Sequence, residues 1–149
     1  RTLFEGRSNK VYGNALQSLL KGIDDASTSE TLAAYSLDGT IFREHTGMLD
    51  ANYMTAWETN FLLAEAAQKG LITAPAQTLY ETGVTQAYAY WNTPLPANYL
   101  TTEAAYNANT NDPIEQIITQ KWIASVINGY EGWIEYRRTG FPDLKTISA

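Results

Sequence analysis

Asp112-Pro113-Ile114-Glu115 constrains the fold of this chain more than any other short stretch. Asp112 is suited to cap a helix, because its carboxylate can accept from the free N–H groups of a first turn. Pro113 then falls at the first helical position, where its missing N–H costs nothing, and Glu115 at the third. Ile114, Ile117, Ile118, Trp122 and Val126 follow at helical spacing. They predict the buried stripe of a helix over residues 114–128, ending at Asn128-Gly129. A shorter helix is expected over 131–138, stopped by Thr139-Gly140-Phe141-Pro142.

Two more helices are written just as locally. Thr55-Ala-Trp-Glu58 is a capping box: the threonine hydroxyl serves the third N–H and the glutamate reaches back. Trp57, Phe61 and Ala64 then recur on one face, and Leu63 with Ala67 widens it. Gly70 suits the position after the helix, since it takes positive φ without a Cβ clash. The expected span is 56–69. Pro75 reads as a first-turn residue. Tyr80, Val84, Ala87, Tyr88 and Trp91 then mark one face of a helix over 76–91, with Pro94 and Pro96 beyond it. Gly83 inside that helix costs about 1 kcal/mol against alanine.

The N-terminal third is less patterned. Asn14 to Lys21 can form a short helix carrying Leu16, Leu19 and Leu20, stopped by Gly22. Residues 24–54 have no sustained period and read as long irregular structure, with a short strand near Thr40-Ile41-Phe42. The expected fold class is all-α, with tetratricopeptide-like helix pairing and long loops, in a single domain over 1–149. Within it, 1–54 is loop-rich, 55–92 a helix pair, 93–112 a loop and 113–149 the closing helices. One helix pair cannot bury both of its faces, so it should stack on further helices or on the closing two.

Composition bounds the function. The 149 residues suffice for a hydrophobic core, and 44% hydrophobic against 17% charged content is that of a globular chain. A net charge of −6 argues against nucleic acid or anionic lipid as a partner. The absence of cysteine excludes a disulfide framework and cysteine-based metal sites. No apolar run reaches the length of a membrane span.

Catalytic chemistry is hard to assemble. His45 is the only histidine. Asp50 lies near it, but there is no Gly-x-Ser-x-Gly elbow and no cysteine nucleophile to complete a triad. Glu131 and Glu135 lie four apart on one helix, with Arg138 three beyond. That spacing favours ion pairing over the cleft-flanking carboxylates of a glycosidase. Asp24-Asp25 and Asp38-Gly39 lack the spaced oxygen ligands of a calcium loop. The reading is a non-enzyme with no cofactor and no metal. Aromatic residues are in surplus, at four Trp, ten Tyr and four Phe. Periodicity assigns Trp57, Trp91, Trp122 and Trp133 to the core. Tyr35, Phe42, Tyr99 and Tyr106 fall in irregular segments, where binding residues concentrate. Tyr35, Phe42 and Tyr99, with Arg43 as a hydroxyl donor, are the expected ligand site.

Three blocks also resemble a known family. Met54-Thr-Ala-Trp-Glu-Thr-Asn-Phe-Leu-Leu-Ala-Glu-Ala-Ala67 resembles a helix of the SusD/RagB family, with Trp57 where tyrosine is more usual. Ala76 to Trp91 resembles its partner helix. Residues 114–142, with Asn128-Gly-Tyr-Glu131 and Glu135-Tyr-Arg-Arg-Thr-Gly-Phe-Pro142, resemble its C-terminal signature. The similarity is specific over about 53–145. It implies a mostly α-helical, non-enzymatic surface lipoprotein that binds a glycan or other nutrient. It also implies a TonB-dependent (SusC-like) outer-membrane transporter as partner. Family members are several times longer, carry an N-terminal lipid anchor to the outer membrane and continue past the signature, so the chain is expected to be a fragment. The motif residues imply scaffold and system, and match no ligand residue of the family. A tetratricopeptide-type adaptor binding a peptide or protein is the alternative; it predicts several tandem repeats, where one pair is visible.

Overall fold

Thr55 opens the first of the described helices of the computed structural model, as its sequence demands. Its hydroxyl accepts from the Glu58 N–H, and the Glu58 carboxylate accepts from the Thr55 N–H. The structure describes residues 4–5, 37–38, 52–106 and 112–142. Its chain divides into two units, residues 1–51 with 147–149, and residues 52–146. In the first unit, β1 (Phe4–Glu5) pairs antiparallel with β2 (Leu37–Asp38), Phe4 opposite Asp38 and Glu5 opposite Leu37. The expected helix at 14–21 and strand near 40–42 lie outside the described residues.

The described residues of the second unit form four α-helices: α1 (Ala56–Gln68), α2 (Ala76–Tyr90), α3 (Pro113–Ala124) and α4 (Gly129–Thr139). A 3-10 turn, Tyr99–Thr101, lies between α2 and α3. The fold class is therefore all-α, as the sequence implies. α1 and α2 end within one residue of their expected bounds. Gly70 takes φ +71° just beyond α1. Pro75 occupies the capping position of α2 rather than its first turn, with its carbonyl accepting from Leu79.

α1 and α2 pack along their lengths, and α3 lies across both. Trp57, Phe61 and Ala64 of α1 meet Tyr80, Val84 and Ala87 of α2, and Ile117 and Ala124 of α3 join them. Gly83 belongs to this contact: the Phe61 ring lies over it, so close that a Cβ there would sit 3.0 Å from two ring carbons. Leu63 departs from the expected apolar face and is exposed.

α3 ends at Ala124, four residues short of the expected 128. In a continuing helix the Ala124 carbonyl would accept from the Asn128 N–H. Here it accepts instead from the indole N–H of Trp91, at 2.9 Å. The Asn128 N–H turns to the Ser125 carbonyl at 2.7 Å, and the Ser125 hydroxyl donates to Lys121. A core tryptophan thus bonds the carbonyl at which the helix ends, and Val126 falls in a turn rather than on the stripe. Asn128 then caps α4 through its side chain. Gly140, at φ +82°, closes α4 with its N–H on the Tyr136 carbonyl.

Candidate functional site

α4 is built inside out. Its buried residues are Gly132 and Glu135, while Tyr130, Trp133 and Ile134 face solvent. The helical period predicts that sorting: positions 130, 133, 134 and 137 share one side, and 132 and 135 the other. What turns the polar side inward is a set of ion pairs. Lys121 of α3, itself buried, places its ammonium 2.8 Å from Glu135, with Glu131 at 3.9 Å and Glu58 of α1 at 4.0 Å. Arg138 lies 2.5 Å from Glu135 and also forks onto Glu65 of α1, at 2.5 and 2.7 Å. Lys69 completes the chain at 2.5 Å from Glu65.

Buried charges survive only when paired and hydrogen-bonded, and each member here meets an opposite charge. Burial opposes ionisation of Glu65, yet the hydrogen bonds from Arg138 and Lys69 outweigh it and hold the carboxyl below its ordinary value. The two Glu65 hydrogen bonds, against burial, raise the Arg138 pKa further still. Glu131 and Glu135 thus meet on Lys121, the ion-pair arrangement that their spacing suggests, and Glu135 pairs with Arg138 as expected. Among the described residues no cluster of acidic or histidine side chains has the arrangement of a metal site.

The four tryptophans separate into two pairs. Trp57 and Trp91 are core residues. Trp122 is 41% exposed and Trp133 54%, against the assignment of both to the core. Trp122 lies on α4 at Gly132, where a Cβ would come within 2.7 Å of its ring, so only glycine lets the helices approach so closely. Trp133 stacks beside Tyr136, with centroids 5.9 Å apart and planes 26° apart. The Arg137 guanidinium sits 5.9 Å above the Trp133 ring.

Of the expected ligand residues, Tyr35, Phe42 and Arg43 lie outside the described residues, as do His45 and Asp50. Tyr99 is half-buried in the 3-10 turn, edge-on to Tyr88 at 5.4 Å, and its hydroxyl pairs with the Gln120 amide. Tyr106 leans on Tyr80 at 5.2 Å and donates to Gln68 at 2.6 Å. The structure describes no contact that brings Tyr99 together with the other three. Exposed rings on α4 are not expected from a signature that reads as scaffold. The signal was available: Tyr130, Trp133 and Ile134 share a side that its glutamates do not.

A SusD-like family model, described as starch-binding associating with outer membrane, matches residues 4–149. The chain belongs to the SusD-like family. The match spans both units, including the N-terminal third where no family motif is legible. No curated protein and no solved structure matches the chain significantly. Among the described residues no helix is long and apolar enough to cross a membrane.

Proposed function

We propose that this protein is a non-enzymatic glycan-binding component of an outer-membrane uptake system, which hands its ligand to a TonB-dependent transporter. The observation that carries the reading is the family match over residues 4–149 to a model described as starch-binding and outer-membrane-associated. The site chemistry agrees with it. The acidic residues of α4 are committed to Lys121 and Arg138, which leaves them serving as structure. Surface location through a lipid anchor on a preceding segment, and nutrients other than starch, belong to the same proposal. So does a ligand contact by Tyr35, Phe42, Arg43 and Tyr99.

Titration with starch oligosaccharides tests the binding step. Saturable binding without release of reducing ends is the expected result. Turnover that disappears in Glu131→Gln or His45→Ala would show an enzyme instead. The transporter partnership is tested separately, by solubilising outer membranes that carry the full-length protein and asking whether a β-barrel copurifies with it. A partner of another kind, in place of a barrel, favours the adaptor reading.

A further inference from the structure

We propose that α4 is an acid-released latch: on acidification it leaves α1 and α3 as a unit, while the core built by α1, α2 and α3 stays folded. The latch does not depend on the glycan-binding reading.

The first argument is how weakly apolar packing holds α4. The buried core cluster draws on α1, α2 and α3, and among the described residues no side chain of α4 belongs to it. The buried residues of α4 are Gly132, which has no side chain to bury, and Glu135, which is charged. The Trp122 ring lies over Gly132, but that ring is itself partly in water. Elements with few buried apolar contacts open at a lower free energy than the whole fold.

The second argument is what holds α4 instead. The charged groups that meet across the seam are Glu58, Glu65 and Lys69 of α1, Lys121 of α3, and Glu131, Glu135 and Arg138 of α4. Among the described residues, the ion pairs that cross to α4 run through Lys121 or Arg138. The Lys121 side chain is only 4% exposed, and the groups that neutralise its ammonium are carboxylates: Glu135 at 2.8 Å, Glu131 at 3.9 Å and Glu58 at 4.0 Å.

The third argument is the sign. Protonating the carboxylates removes the negative charges and leaves the cations. Arg138, with its side chain 39% exposed, can turn to water. Lys121 is then a buried cation with no opposite charge, which is the costly state. Departure of α4 opens it to solvent. Glu65 gives the window. Burial opposes its ionisation, but the bonds from Arg138 and Lys69 hold its carboxyl below the ordinary 4.5. Its contribution is full above the unfolded pKa and is lost as pH falls through the folded one.

The experiment follows backbone carbon shifts of the 149-residue chain by NMR from pH 7 to 3. An isolated helix as short as α4 is unstable in water, so release should move residues 129–139 to coil values. That step should have its midpoint below pH 4.5, while Phe61, Ala64, Val84 and Ala87 keep helical values. Lys121→Met should reverse the dependence. Without the buried cation, acid neutralises the facing carboxylates, so α4 should be held better at pH 4 than at pH 7. The wild-type titration decides the matter even where that variant fails to fold. If α1 and α2 unfold in the same step as α4, the fold is one cooperative unit and the latch is refuted. Helical values for α4 down to pH 3 refute it as well. Release of α4 in Lys121→Met at the wild-type midpoint removes the buried cation as the cause and also overturns the proposal.

Discussion

Arg138 forks onto both carboxylate oxygens of Glu65, at 2.5 and 2.7 Å, across 73 residues of sequence. The pair fastens the signature helix α4 to α1. Removing one partner of a buried pair costs about 3–5 kcal/mol. The Arg138 side chain is 39% exposed and Lys69 stays with Glu65, so the expectation for Arg138→Ala is about 2 kcal/mol. Arg138→Lys should recover less than half, because one ammonium cannot reproduce the fork. Urea denaturation of both variants measures this; equal stability of Arg138→Lys and wild type would contradict it.

The same carboxylate gives a pH dependence of definite sign. The folded pKa of Glu65 lies below its ordinary 4.5. A depressed carboxyl contributes stability that is fully present above the unfolded pKa and lost as pH falls through the folded one. Wild type should therefore lose stability on acidification below about pH 4.5 more steeply than Glu65→Gln, whose side chain has no such proton to take up. Melting temperatures from pH 6 to 3 test the slope. Parallel curves for the two proteins would remove Glu65 as the source.

The two classes of tryptophan should respond differently to truncation. Trp91→Ala removes a buried ring and its hydrogen bond to Ala124, and should cost about 3–5 kcal/mol. Trp122→Ala removes a ring already 41% exposed, so about half that is expected. A larger loss for Trp122→Ala than for Trp91→Ala would reverse the assignment of core and surface.

Gly83→Ala should destabilise despite the better helix propensity of alanine. The new methyl would sit 3.0 Å from two carbons of the Phe61 ring, which is fully buried. Overpacking costs about 1–3 kcal/mol, against a propensity gain of about 1 kcal/mol. A net loss near 1 kcal/mol is expected in denaturant titration. A gain in stability would mean that Phe61 yields.

Tyr80→Phe isolates one buried hydroxyl. Tyr80 donates to the Ala104 carbonyl at 2.9 Å and accepts from the Gln116 amide at 3.3 Å. Burial raises its pKa well above that of free tyrosine, so it remains a donor through the neutral and mildly alkaline range. Losing it leaves both partners unpaired in the core, at about 1–3 kcal/mol. Thermal melts of the variant check the figure, and an unchanged midpoint would show that water takes the place of the hydroxyl.

The sequence by itself determined where these helices begin and which residues share a side. Capping at Thr55 and Asp112, the positive φ at Gly70 and the buried faces of α1 and α2 all follow from neighbours within about one turn. Those interactions are local, so they are legible in order along the chain. Tertiary structure decided what local order cannot. α3 stops at Ala124, whose carbonyl accepts from a ring 33 residues earlier and not from the Asn128 N–H. α4 has one apolar and one charged side, and the period alone favours burying the apolar one. Buried partners on α1 and α3, Glu65 and Lys121, reverse that choice, because a charge already inside the protein must be met by its opposite.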